Sequence, residues 1–187
     1  MLIRDVRREN GLDSDPADAE PTIRRELRDG DVEAIVALHE RLYSREYGMN
    51  EDFVAGVADT LTSAIASGWP QAGAGGIWIV ERKGQFAGCV GLTDEGDGLG
   101  YIRWVLLDPA LRGSGLGKRL VGEAVAQASS AGLTQLKLFT FSDLRAAARI
   151  YRGLGFRVVS EEPRTSWGPP ITFQRYELAL TPRPDPG

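Results

Sequence analysis

The sequence predicts a mixed α/β domain, with a central, mostly antiparallel sheet of about seven strands flanked by about four helices. Three observations predict this class. The chain has 187 residues, of which 42% are hydrophobic and 26% charged, as in one globular domain of ordinary size. Short apolar segments bounded by glycine or proline predict strands, whereas apolar residues at every third or fourth position predict helices. A glycine-rich turn also joins one predicted strand to one predicted helix.

The predicted domain covers residues 21–181. Residues 1–20 are polar and show no hydrophobic period, so we expect a flexible arm. In residues 182–187, proline alternates with other residues and cannot donate to a β-ladder, so we expect a loose tail.

Each predicted element has its own start and stop signals. Asp29-Gly30-Asp31 supplies capping and acidic first-turn signals for a first helix, which Gly48 ends. A second helix starts after Asn50 and carries on one face Phe53, Val57, Leu61 and Ile65. Lys83-Gly84 joins two apolar segments into a hairpin. In chain order, the predicted elements are a strand at 22–27, helices at 31–47 and from 51 to about 67, strands at 77–82, 85–92 and 101–107, a helix from 116 to about 131, a strand at 133–140, a helix at 143–153, and strands at 156–160 and 172–180.

The composition excludes several classes of function. Cys89 is the single cysteine, so no intrachain disulfide forms, and we expect the reducing cytoplasm. No apolar run approaches the roughly 20 residues that cross a bilayer, and Met1–Asp5 lack the apolar core of a signal peptide. A net charge of −4 argues against a nucleic-acid surface. We therefore expect no membrane, nucleic-acid or metal partner; the oligomeric state stays open, with a homodimer as one option.

The glycine-rich turn is the strongest chemical signal. It reads Arg112-Gly113-Ser114-Gly115-Leu116-Gly117-Lys118, and its amides open a helix, where they suit an anion such as phosphate. Only three residues separate Gly113 from Gly117-Lys118, and Arg119 stands where the Walker loop needs a magnesium-binding hydroxyl. Lys118 also occupies the third glycine position of the dinucleotide fingerprint. A nucleotide site of either kind is therefore not favoured.

The order of elements, this turn and a second motif, Ala147-x-x-x-Tyr151-x-x-x-Gly155-Phe156, resemble the GNAT superfamily of N-acetyltransferases over residues 22–180. The resemblance implies acetyl-CoA as cofactor and Tyr151 as the general acid for the departing thiolate. It implies that the pantetheine arm pairs with backbone groups of Val105, Leu106 and Leu107. It also implies that the pyrophosphate is held by Arg112 and by the amides of Gly113, Ser114, Gly115, Leu116, Gly117 and Lys118.

The implied activity is acetyl transfer from acetyl-CoA to a primary amine of a small molecule or protein, by direct attack in a ternary complex. Cys89 lies in a predicted strand away from the turn, so no covalent intermediate is expected. The alternative is a CoA-binding sensor or partner-binding module without turnover. Two departures from the family keep it open: Tyr101–Leu107 contains no acid, and Leu144 stands where many members have asparagine.

The acceptor site and the general base are less defined. The segment His39–Gly48 is similar to the first helix of GNAT domains that are often fused to MarR-type regulators. By resemblance, substrate contacts are expected from Tyr43, Glu46, Tyr47 and Trp167, the last in the loop Arg164–Pro170; ordinary packing is the alternative for each. Candidates for the base are His39, Glu46, Glu81 and a chain of waters, and a core position is the alternative for His39.

Overall fold

The computed structural model describes residues 20–180, so the predicted arm (apart from Glu20) and the predicted tail lie outside the described residues. It confirms the predicted mixed α/β class. Seven strands form one sheet in the order β1-β2-β3-β4-β5-β7-β6. The strands are β1 (Thr22–Arg24), β2 (Gly76–Arg82), β3 (Gln85–Asp94), β4 (Leu99–Leu107), β5 (Gln135–Phe141), β6 (Arg157–Arg164) and β7 (Ile171–Ala179).

The helices cover both faces of this sheet. They are α1 (Asp31–His39), α2 (Arg45–Tyr47), α3 (Glu51–Ala66), α4 (Leu116–Ser130) and α5 (Arg145–Gly153). A π-helical turn, Glu40–Ser44, joins α1 to α2, so the predicted helix over 31–47 is continuous but not regular. Such turns are rare and often lie at functional sites.

Strands β4 and β5 are the one parallel pair within the described sheet, and they separate along their length. Their register covers only three pairs, from Leu99↔Gln135 to Tyr101↔Lys137. The other recorded pairings are antiparallel. Beyond Tyr101, the β4 edge that faces β5 is open, which creates a cleft in the middle of the sheet.

At this cleft, a β-bulge in β4 changes the face of the sheet on which the following side chains lie. From Cys89↔Leu106 to Gly91↔Arg103, β3 advances by two residues while β4 advances by three. Trp104 has φ 49° there, a left-handed conformation that costs a non-glycine residue on the order of 1–3 kcal/mol. Its indole Nε1 donates to Thr60 Oγ1 at 3.1 Å, and its ring lies 4.8 Å from the Trp69 ring. These contacts with α3 and the following loop hold the strained residue in place.

The bulge divides β4 between two hydrophobic cores. Ile102 packs in the core beneath α4 and α5, whereas Trp104 and Leu106 pack in the core beneath α1 and α3. In an unbroken strand these three residues would share one face, because side chains alternate with period two. The strand that borders the cleft is thus anchored on both sides of the sheet.

Three details of the predicted elements are wrong. Strand β1 ends at Arg24, whereas the prediction carried it to Leu27. Strand β6 continues through Pro163 to Arg164; proline is tolerated because β6 is an edge strand and needs no ladder donor on its outer side. Ile65 is 39% exposed, and the last turn of α3 buries Ala64 instead. In residues 20–180, none of the helices is long and apolar enough to cross a membrane.

Candidate active site

A cavity of about 630 Å³ occupies the cleft between β4 and β5 and extends under α1, α3 and α5. It brings together most of the predicted site residues. From the predicted cofactor set, its lining includes Val105, Leu106, Leu107, Arg112 and Gly117; from the predicted catalytic and acceptor sets, it includes Tyr43, Tyr47, Tyr151 and Trp167. Glu46 is absent from the lining, as are Gly113, Ser114, Gly115, Leu116 and Lys118 of the glycine turn.

The glycine turn is built to leave backbone donors unused. Asp108 caps a short 3-10 turn, Pro109–Leu111, by accepting from the Ala110 amide at 3.0 Å. Gly113 and Gly115 then have φ of 79° and 83°, which glycine adopts readily. A Cβ added at either position would meet nothing within 4 Å, so their surface is open. Within the described chain, the amides of Gly113, Gly115, Gly117 and Lys118 donate to no group.

Gly117 has a different role from the two glycines before it. A Cβ at this position would lie 3.2 Å from Ile150 Cδ1 and 3.4 Å from Leu107 Cδ1. Its absence lets the first turn of α4 pack closely against α5 and the end of β4. Leu116 is buried in the core, and its amide lies 3.4 Å from Ser114 Oγ, which in turn donates to the Leu111 carbonyl at 2.8 Å. The turn therefore leaves unused backbone donors at a helix N-terminus, which is the kind of position that can bind an anion.

Arg112, the predicted pyrophosphate ligand, forms a bidentate ion pair with Glu46. The two N–O distances are 2.8 and 2.9 Å. The side chains are 44% and 29% exposed, so the pair lies at the mouth of the cavity. It joins the segment after the π-helical turn to the glycine turn, and it couples two residues that sequence reasoning assigned to different ligands.

Tyr151 lies on α5 and lines the cavity together with Ile150 and Ala147. The residue is only 4% exposed, and its ring meets those of Phe156 and Tyr176 edge-on at 6.2 and 5.8 Å. Burial raises the pKa of its phenol above the ordinary value of 10. The hydroxyl hydrogen-bonds to none of residues 20–180. The Tyr151 phenol is therefore protonated at the cavity and donates no hydrogen bond to another described residue.

The proposed bases are all engaged in other contacts. Glu81 lies on β2, outside the cavity, and pairs with Arg24 at 2.8 Å. His39 lines the cavity but is 4% exposed, and its Nδ1 lies 2.8 Å from the Ile35 carbonyl oxygen, to which it donates. Burial lowers the pKa of His39 from 6.5 to about 4, so the imidazole is neutral at pH 7. Glu46 is held by Arg112. None of the residues that line the cavity in the described chain is an aspartate or a glutamate.

The sequence did not predict several of the residues that line the cavity. They are Arg103 and Tyr101 on β4, Phe139 and Thr140 on β5, and Phe173 on β7. Their signal was weak, because Phe139 is only one residue in an apolar strand and 36% of its surface stays exposed. Arg164, assigned to a loop in the sequence analysis, ends β6 and lines the cavity with Trp167.

Comparison with known proteins agrees with this geometry. The model of the acetyltransferase (GNAT) family matches residues 34–156. An uncharacterized N-acetyltransferase of Escherichia coli, YjgM, is 33% identical over 119 residues, which are 62% of this chain and 71% of that protein. Mycothiol acetyltransferase of Nocardiopsis dassonvillei is 37% identical over 82 residues, 44% of this chain, but the match spans only 24% of that relative.

Solved structures show the same fold. The yncA protein of Salmonella typhimurium, whose structure contains its cofactor acetyl-CoA, superposes with a TM-score of 0.67 over 90% of this chain and 99% of its own, at 20% identity. A GNAT-family acetyltransferase of Streptococcus pneumoniae gives a TM-score of 0.65 over 87% of this chain and 100% of its own, at 19% identity.

Proposed function

Because the chain belongs to the GNAT family of acetyltransferases, whose cofactor is acetyl-CoA, we propose that it acetylates a primary amine by direct attack in a ternary complex within the cavity. One observation carries this proposal: the open anion site of the glycine turn and the free phenol of Tyr151 lie at the same cleft in the sheet. An anion site alone would serve any phosphate ligand. A protonated acid beside it serves a reaction that releases a thiolate.

The residues present fit the cofactor. The unused amides of Gly113, Gly115, Gly117 and Lys118 would hold the pyrophosphate, with Arg112 exchanging its Glu46 partner for a phosphate oxygen. The open β4 edge at Val105, Leu106 and Leu107 offers backbone groups for the pantetheine amides. When bound, acetyl-CoA supplies the acetyl group as a thioester. Leu144 contributes only an apolar contact where many relatives have asparagine.

Tyr151 would donate the proton that the thiolate needs, and the proton that the attacking nitrogen loses would restore the phenol. Its raised pKa keeps the phenol protonated across the physiological range, so that a proton is present to be donated. Since the described lining contains no carboxylate, we propose that the amine reacts from its neutral fraction. Cys89 takes no part, because it is fully buried and its thiol, whose pKa burial raises, donates to the Trp104 carbonyl at 3.1 Å.

Tyr43, Tyr47 and Trp167 would contact the acceptor amine, and Glu46 would contact it once Arg112 has turned to the cofactor. The named relatives are acetyltransferases, so the alternative of a CoA-binding module without turnover is not favoured. The mycothiol acetyltransferase match covers a quarter of that protein, so its acceptor is not carried over. The domain limits 21–181, the cytoplasmic location and a homodimer remain predictions from sequence.

A thiol-release assay tests the proposal. Purified protein is incubated with acetyl-CoA and a panel of primary amines, free CoA is measured with a disulfide reagent, and the product is identified by mass spectrometry. We expect amine-dependent release of CoA together with an N-acetylated product. Binding of acetyl-CoA by calorimetry without release across the panel would instead support the module without turnover.

A further inference from the structure

One side of the cavity has a continuous aromatic wall. Neighbouring rings along it lie between 4.8 and 5.5 Å apart. We define this aromatic wall, in order of contact, as Tyr101, Phe139, Phe173, Trp167, Phe53 and Tyr43. It draws on β4, β5, β7, α3, the loop before β7 and the π-helical turn, so residues distant in the chain build one surface. Such a surface favours a ligand with an apolar or aromatic body.

Two arginines lie on this wall without a carboxylate partner. The Arg164 guanidinium carbon is 4.0 Å from the centre of the Phe173 ring and 4.5 Å from that of Trp167. The Arg103 carbon is 4.5 Å from the centre of Tyr101 and 4.7 Å from that of Trp104. Neither forms an ion pair within residues 20–180, whereas Arg112, the third arginine of the lining, is paired with Glu46.

The positive charge of the cavity lining does not follow from the composition of the chain. The chain as a whole carries a net charge of −4, yet its cavity lining combines three arginines with no acid in the described residues. A guanidinium stacked on a ring keeps its N–H donors available, because they point outward in its own plane. Stacking on two rings also restricts each arginine before a ligand arrives, which lowers the entropy lost on binding.

A further polar group in the cavity also lacks a partner. Thr140 lines the cavity on β5 and is 6% exposed, and its Oγ1 is buried with no hydrogen bond in the described chain. A buried hydroxyl without a partner is unfavourable, so a ligand that supplies an acceptor or donor there is stabilised. The cavity therefore offers cations, a hydroxyl and apolar rings, but no anion.

We propose that the acceptor is an α-amino acid with an apolar or aromatic side chain, whose carboxylate is bound by Arg103 and Arg164. This inference rests on the proposed function and names its substrate class. A volume of about 630 Å³, shared with the acetyl-bearing end of the cofactor, suits a molecule of this size. A polyamine would meet the two unpaired arginines of the wall against one carboxylate, that of Glu46 at the cavity mouth, so the same arrangement discriminates against it.

The test compares matched pairs that differ only in the carboxylate. Phenylalanine is paired with phenethylamine, and leucine with isoamylamine, and kcat/KM is measured by thiol release at equal concentrations of the neutral amine. We expect the amino acid of at least one pair to be preferred by about 10- to 100-fold, as for a hydrogen bond to a charged group. Arg164→Gln and Arg103→Gln should each reduce this preference through KM. Arg157→Gln is the matched control, because Arg157 lies exposed on the same strand as Arg164 and outside the cavity.

A binding measurement separates failure of this inference from failure of the proposed function. Calorimetry with the CoA-bound protein compares N-acetylphenylalanine with N-acetylphenethylamine, and the corresponding leucine products, without any turnover. Preference for the carboxylate in wild type, and its loss in Arg164→Gln, supports the inference even where no thiol is released. Equal kcat/KM and equal affinity for the two members of every pair would overturn this inference while leaving acetyl transfer intact. Turnover confined to polyamines would do the same.

Discussion

Burial, and not a charged partner, keeps Tyr151, the proposed proton donor, protonated. The largest cause of its raised pKa is desolvation, with smaller contributions from Tyr43 and Tyr176. We expect Tyr151→Phe to lower kcat by about 100-fold or more, because a positioned general acid contributes on the order of 10²–10⁴. The acetyl-CoA dissociation constant should change by less than about twofold, since the ring and its packing are kept. Steady-state kinetics and calorimetry measure the two quantities.

Tyr176→Phe is the matched control for this substitution. Tyr176 is fully buried beside Tyr151, but its hydroxyl bonds to Gln174 at 3.4 Å and the residue does not line the cavity. Its replacement should leave kcat close to wild type. A loss of kcat of equal size in both variants would point to a packing effect and would contradict the acid role of Tyr151.

His39 makes the stability of the fold depend on pH. Its pKa is about 4 in the folded chain and 6.5 as an ordinary value, so the unfolded chain binds a proton first as the pH falls. The contribution is fully present above pH 6.5 and is lost as the pH falls towards 4. At pH 5 the loss amounts to about 2 kcal/mol, from roughly 1.4 kcal/mol for each pH unit below 6.5.

We therefore expect His39→Asn to remove about 2 kcal/mol of the difference in unfolding free energy between pH 7.5 and pH 5. The asparagine amide nitrogen matches the position of Nδ1, so it can still donate to the Ile35 carbonyl, but it does not titrate in this range. Urea denaturation of both proteins at the two pH values measures the difference, and the carboxylates common to both cancel. An unchanged pH dependence in the variant would show that His39 has the same pKa in the folded and unfolded chains.

The glycine turn and the end of α4 offer a paired test of the anion site. Gly115 and Gly132 have almost the same positive φ, 83° and 82°, and a Cβ at either meets nothing within 4 Å. Alanine at each should therefore cost a similar free energy of unfolding, on the order of 1 kcal/mol. Only Gly115→Ala should weaken acetyl-CoA binding, by about tenfold or more, because it crowds the proposed pyrophosphate site. Calorimetry measures the affinity, and thermal unfolding measures the stability. Equal affinity for acetyl-CoA in Gly115→Ala and Gly132→Ala would mean that the pyrophosphate does not bind at this turn.

The ion pair between α2 and the glycine turn predicts competition with the cofactor. Arg112 cannot hold both the Glu46 carboxylate in a bidentate pair and a phosphate oxygen in the same geometry. Glu46→Gln should thus strengthen acetyl-CoA binding severalfold, and Arg112→Gln should weaken it. Arg41→Gln, which breaks another exposed ion pair, with Asp108 at 2.8 Å, is the control for a nonspecific change in surface charge. Weaker binding in Glu46→Gln would indicate that the carboxylate helps to form the cofactor site.

Much of the architecture follows from local patterns. Periodicity and turn residues predicted the order of elements, because the longer helices bury one face and glycine, proline or a capping residue marks most of the breaks between elements. The alternating glycines after Arg112 predicted a tight turn that opens a helix, and the positive φ of Gly113 and Gly115 is a local property of the chain.

The features that create the cavity are not local. The bulge at Trp104 depends on Thr60 and Trp69, which are far away in the sequence, and the separation of β4 from β5 depends on how both strands twist. The convergence of Arg103 and Arg164 on one wall depends in turn on that separation. The sequence could therefore indicate the cofactor but not the acceptor, and the earlier expectation of contacts from Glu46 missed its pairing with Arg112.

Hydrogen exchange should show which parts of the molecule the cofactor covers and which it does not. Acetyl-CoA bound between β4 and β5 would cover the open β4 edge at residues 103–107 and the glycine turn at residues 113–118. Where exchange needs the free state, a ligand at 100 times its dissociation constant slows it by about 100-fold. We expect this protection in peptides that cover 103–118, measured by mass spectrometry with and without the cofactor. The edge strand β1 and the Lys83-Gly84 turn lie outside the cavity and exchange by local opening, so their rates should not change. Protection at 113–118 without protection at 103–107 would mean that the cofactor is held by its phosphates alone, and that the cleft in the sheet is not where its acetyl group lies.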